Sequence, residues 1–424
     1  MKTLNATKLL RWTLIRLLLL HGSLAVLQAQ SLTISTSDYP TLGNPTSAVA
    51  TRDGLYVFVS VTNVGVPNFK NSDQAAGARK DVVTGIQIFR RDSLHRSRLI
   101  PSGFTPIGST GANGLVLLNG EKTLVVGAGD AGVAFLNVQE MLRGRAKPYF
   151  AAQGDGAGTF DVVASPDGKF VFSANEYGIV QRQRGSVGII AVLADAAGRV
   201  THPQSIGQIP AGDVVPSLTL SPDGSRLYVA TELVPANDPP PIAGAGNPTL
   251  TKNDCVQKQG TAPRSNGFIT VIDAQKATES TSTAILSRVA AGCSPVRLVE
   301  TADSSVLFVS ARGNDTILAF TPRLLESDPE HALLRAIPSG GSAPVGIRLF
   351  AQDRLLAVAN SNRFADSNGN LAVLNVSDVS SSSGRALVNT WPAGGFPRNI
   401  GISHDGKILY LTNYASRSLQ VIQK

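Results

Sequence analysis

Two charged side chains stand where repeated apolar runs begin or end, and they are best placed to do chemistry. Glu232 closes the run LYVATE (Leu227–Glu232), and Arg398 follows Pro397 at the head of a later run. A carboxylate there can act as general base on an attacking water. A guanidinium can hold a carboxylate or stabilise an oxyanion. The pair Glu232 and Arg398 is therefore the candidate catalytic set. The competing reading is a structural pair, or two solvated charges at strand ends. Arg297 is a third candidate, as a ligand-binding cation. It lies two residues past Pro295, whereas Arg398 lies one past Pro397. At equal distance from the following turn, the side chains of Arg297 and Arg398 are expected to point oppositely.

Other chemistries have little to work with. Histidine (5), methionine (2) and tryptophan (2) are scarce, so sites built on several histidines are not expected. There is no haem attachment motif, no phosphate-binding glycine loop and no Gly-x-Ser-x-Gly elbow, and no cofactor is expected. Asp366-Ser367-Asn368-Gly369-Asn370 has the opening spacing of a calcium loop. It lacks the glycine and the glutamate that complete an EF-hand, so it reads as a polar turn, and no metal is expected. Asn314 and Asn375 open glycan-acceptor triplets, which matter only in a eukaryotic host.

Residues 1–29 read as a signal peptide. Lys2, Lys8, Arg11 and Arg16 form a basic start, Leu17–Leu27 an apolar stretch, and Ala25 and Ala29 the candidate cleavage sites. The apolar stretch is too short to span a bilayer comfortably, which takes about 20 residues. The full chain carries +8; without its leader it has 34 basic and 30 acidic residues, near +4, with no basic run. A nucleic-acid partner is thus not expected. The protein is expected to be secreted, periplasmic or extracellular, and a monomer. In that setting the even cysteine count suggests one disulfide, Cys255–Cys293.

The elements that position these residues are legible as a repeat. Ser-Pro-Asp-Gly turns occur at Ser165–Gly168 and Ser221–Gly224, and a Ser-His-Asp-Gly turn at Ser403–Gly406. Weaker copies surround Asp53-Gly54, Asn119-Gly120, Asp303 and Asp353, which makes seven. After each turn come two apolar runs rich in Val, Ile, Phe, Tyr and Thr, as strands require. Most copies are 48 to 56 residues apart, with an 80-residue step between Asp223 and Asp303. A four-stranded blade takes about 40–50 residues, as in WD40 and kelch arrays. β-Helix repeats are much shorter, and sandwiches would not repeat their turn chemistry. The expected fold is all-β: a seven-bladed propeller of four-stranded antiparallel blades over residues 30–424. The last blade supplies only three strands, so Leu32–Thr36 is expected to complete it and close the ring. Insertions at 61–84, 233–266 and 361–369 fall between second and third strands, so all crowd one face. Long loops on a rigid scaffold are where binding concentrates.

The stretch PAGGFPRNIGISHDGKILYLTNYASRSLQVI resembles the closing blade of the seven-bladed lactonase family typified by 6-phosphogluconolactonase. It is also similar to YVTN-type propeller repeats. Gly394, Gly395, Pro397, Arg398, Ser403, Asp405, Gly406, Leu409 and Asn413 carry the likeness, and LYVATEL adds Glu232. The family tends to place Pro-Arg-His or His-rich segments where inner strands begin. Pro216-Ser217-Leu218 has neither Arg nor His. Two functions follow as expectations. One is an exported binding or scaffold propeller whose looped face recognises a protein, polysaccharide or small ligand. The other, implied by the resemblance, is a lactone hydrolase using Glu232 and Arg398 at the channel mouth.

Overall fold

The computed structural model describes residues 34–65, 83–93, 98–153, 158–176, 184–196, 198–235, 266–363, 365, 367–380 and 386–423. Seven four-stranded antiparallel sheets form within them. The inner strands of blades one to seven are Asn44–Ala50, Leu115–Leu118, Thr159–Ala164, Ser217–Leu220, Pro295–Glu300, Pro344–Phe350 and Pro397–Ile402. Each lies beside the next and the seventh lies beside the first, so the sheets form a ring.

The turn after each inner strand has a common chemistry in five blades. The hydroxyl of Thr51, Ser165, Ser221, Thr301 or Ser403 donates to the aspartate two residues on, at 2.5–2.7 Å. The same carboxylate accepts the backbone N–H two residues further, at 2.9–3.2 Å. At Asp167, Asp223, Asp303 and Asp405 these bonds favour the ionised form. Asp303 is held at about 2, chiefly by the Thr301 hydroxyl. Asp53 and Asp303 are thus full members of the set. Blades two and six depart, with positive φ at Asn119, Gly120 and Glu121 and at Ala351, Gln352 and Asp353. Their carboxylates bind the neighbouring blade instead. Glu121 accepts from the N–H of Arg52, and Asp353 from that of Ala302, both at 2.6 Å.

Between blades, large side chains interlock. Phe58, Phe89, Phe135, Phe172, Phe268, Phe308, Phe320 and Tyr410 are fully buried. Each such side chain stabilises the fold by about 2–3 kcal/mol on the usual area scale. One cluster joins Tyr228 and Ile269 of blade four to Leu307 and Phe320 of blade five. Short helices follow the third strands at Val138–Leu142 and Ala274–Glu279. Asn137 and Asp273 cap them, each accepting a backbone N–H at 2.9 Å.

Closure occurs as expected, through the N-terminal strand. Among the described residues that strand is Ser35–Pro40, which takes in Ser35 and Thr36 of the expected segment and runs on to Pro40, and it pairs from Ser35↔Gln423 to Pro40↔Ser418; Leu32 and Thr33 lie outside the described residues. An outer strand is solvated on most of its surface, so apolar alternation is a poor guide to its register. The backbone ladder sets it here, with Tyr39 packed edge-on against Phe89 at 6.4 Å. The second strand of blade one runs to Val64 and its third starts at Val83, so both strands reach into the segment expected as insertion. The expected signal peptide, Cys255 and most of the first and second expected insertions lie outside the described residues.

Candidate functional site

Chain direction fixes which groups meet at the axis. Every inner strand runs from the looped face toward the aspartate turn, and every second strand runs back. The residue nine past the turn aspartate therefore stands at the looped mouth. In blades three, four, five and seven these are Glu176, Glu232, Arg312 and Tyr414. Arg363, just past the second strand of blade six, joins them.

Glu232 is 3% exposed and is bound by Arg312, whose Nη2 lies 2.7 Å from its Oε2. Glu176 is one of the groups that sequence reasoning missed, with Arg312, Arg363 and Tyr414. Its carboxyl is pushed up to about 7, first by burial and then by the Glu232 carboxylate. Arg398, Arg312 and Arg363 pull in the other direction. A signal for it existed, because FVFSANE repeats the LYVATE position in the preceding blade.

Arg398 sits among three rings. Its guanidinium carbon lies 4.8 Å from the centre of Phe160, 4.9 Å from Tyr414 and 6.0 Å from Phe396. Among the described residues it has no hydrogen-bond or ion-pair partner. Burial lowers it to about 10, with Tyr414 and Glu176 opposing the fall and Arg297 and Arg363 adding repulsion. Arg363 also lies over Phe396, at 5.8 Å.

Arg297 corrects one expectation. It does not point away from Arg398; its guanidinium faces the same Phe160 ring, at 5.6 Å. The reason is a register shift near the head of each inner strand, between Pro295 and Leu298 and between Pro397 and Asn399. A bulge sets two residues against one, so strict alternation fails across it. Arg297 is 8% exposed and donates to the Pro216 carbonyl at 2.8 Å. It also faces Asp161, one step nearer the turns than Phe160. Burial raises Asp161, while Arg297, the Ser217 hydroxyl and Arg348 oppose the rise. Arg297 thus belongs to a charge cluster inside the ring rather than to the open mouth.

Among the described residues no group of three or more His, Cys, Asp or Glu side chains could hold a metal ion. Asp366 of the calcium-like turn lies outside them. No helix among them is long and apolar enough to cross a membrane. Cys293 is buried at the looped face and is not a free thiol. No family model and no curated protein matches the chain. Hydrazine synthase of Kuenenia stuttgartiensis is similar in structure, with a TM-score of 0.59 and 14% identity over 90% of this chain and 96% of that one. At that identity the likeness concerns the fold alone.

Proposed function

We propose that this protein is an exported binding propeller that takes a small polar ligand into the axial mouth of its looped face. The observation that carries this is the convergence of Glu176, Glu232, Arg312 and Tyr414 from one repeat position in four blades, around Arg398. Fold-level binding is supported by the ring itself, since pockets at such mouths are rigidly walled. The remaining features complete the proposal: a cleaved leader over residues 1–29, a monomeric chain, and a Cys255–Cys293 disulfide that pins the long fourth-blade insertion. The lactonase and YVTN likeness is part of this reading and not independent support for it.

One observation favours a second reading, in which the ligand is a lactone and is hydrolysed. A glutamate near 7 is suited to general-base work at neutral pH, and Arg398 beside it could hold the developing oxyanion. Here Glu176, not Glu232, would be the base, because Glu232 is already engaged by Arg312.

Both readings are tested on the purified mature chain and a Glu176→Gln, Arg398→Gln double variant. A panel of neutral, cationic and anionic small molecules is screened by melting temperature, and a lactone panel by hydrolysis. Stabilisation by some panel member that disappears in the folded variant is expected. Turnover that disappears with it would establish the hydrolase. Ligand stabilisation unchanged in the variant would contradict a mouth site.

A further inference from the structure

Resting on the mouth reading, and deepening it, we propose that the ligand is a small organic acid. Its single carboxylate seats on Arg398, and its binding is coupled to a proton on Glu176.

Among the described residues Arg398 has no hydrogen-bonded or ion-paired partner, although Glu176 acts on it through space. Arg312 is ion-paired with Glu232, and Arg297 faces Asp161 and a backbone carbonyl. Arg398 alone of these three has its guanidinium held only by ring faces. Aromatic contacts offset part of the cost of placing a cation among rings, and they do not use its N–H donors, which stay available to a ligand. A guanidinium fork matches a carboxylate in two parallel bonds. The rings of Phe160, Phe396 and Tyr414 offer apolar walls to the carbon skeleton behind it. A dianion such as phosphate fits less well, because Glu232 and Glu176 share the mouth.

The charged groups that act on Glu176 are Glu232, Arg398, Arg312 and Arg363. Seating the ligand's carboxylate on Arg398 neutralises one of the cations that stabilise ionised Glu176. It also adds a repelling charge, so Glu176 takes up a proton as the acid binds. With Glu176 near 7, its protonated fraction falls about tenfold between about pH 6 and about pH 8, and affinity falls with it.

Calorimetric titration of the full mature chain tests this, with D-galacturonate, L-lactate and benzoate as carboxylate probes. Inorganic phosphate and methyl galactoside serve as contrasts. The expected result is binding of at least one carboxylate, about tenfold tighter at about pH 6 than at about pH 8. Glu176→Gln should keep the tighter affinity at both values, and Arg398→Gln should lose binding while still melting cooperatively. Preference for phosphate, equal affinity at both pH values, or no carboxylate binding below about 10 mM would each overturn the inference. Methyl galactoside bound by the wild type and lost in both variants would overturn the anion and leave the mouth site standing. Carboxylate binding that survives both substitutions would overturn both.

Discussion

Glu176 shows what happens to a carboxyl placed beside another in poorly solvated surroundings. Burial and Glu232 both disfavour its charge, and three arginines only partly compensate. Its folded value near 7 lies above the unfolded value of 4.5, so the folded state binds the proton more tightly. Stability contributed by that proton is full below the unfolded value and is lost as pH rises through about 7. Glu176→Gln should therefore melt like wild type near pH 4.5 and about 2–4 °C higher above pH 7.5, which a melting series across pH checks. Such a gain would mark a residue kept for something other than stability. Arg398 and Glu232 were legible as strand-end charges. Glu176 and Arg312 were legible only once the repeat position, rather than the residue type, is followed from blade to blade. The aromatic cage was not legible, because Phe160 reaches Arg398 across the ring from a blade far away in sequence.

The turn is the element the sequence spells out most fully, since a hydroxyl, a carboxylate and a positive-φ residue must sit at fixed spacing. Gly224 and Gly406 occupy the same place in it, with φ of +72° and +69°. Their surroundings differ. A Cβ on Gly406 meets open space, whereas one on Gly224 would lie 2.7 Å from Cγ of Pro166 in the neighbouring turn. Gly406→Ala should cost about 1 kcal/mol for the left-handed backbone alone. Gly224→Ala should cost roughly twice that, because the clash adds to the strain. Denaturant midpoints of the two variants decide the matter, and equal losses would mean that the turns of blades three and four are not packed as described. Inner strands were harder to read. Their bulges reverse side-chain direction near the mouth, which is why Arg297 and Arg398 face one ring despite opposite parity in sequence.

Across the whole molecule, seven copies of one unit leave the ring with strong rotational regularity, and function shows where that regularity fails. Blade count and closure were plain from the turns and from the missing fourth strand. The exact closing strand was not, since Ser35–Pro40 is polar and only its backbone pairing identifies it. The charges at the mouth come from blades three to seven and are not interchangeable. Arg312 is built into the scaffold through Glu232, whereas Arg398 lies against ring faces with no hydrogen-bonded partner among the described residues. The most direct measurement of that difference is the melting temperature of Arg398→Met beside that of Arg312→Met. Removing Arg312 strands a buried carboxylate and should cost about 3 kcal/mol, or roughly 3–6 °C. Removing Arg398 takes away a half-buried cation that has no hydrogen-bonded partner among the described residues, and should leave the melting temperature unchanged or raise it. A loss at Arg398 as large as that at Arg312 would make Arg398 a structural residue and contradict a ligand site at the mouth.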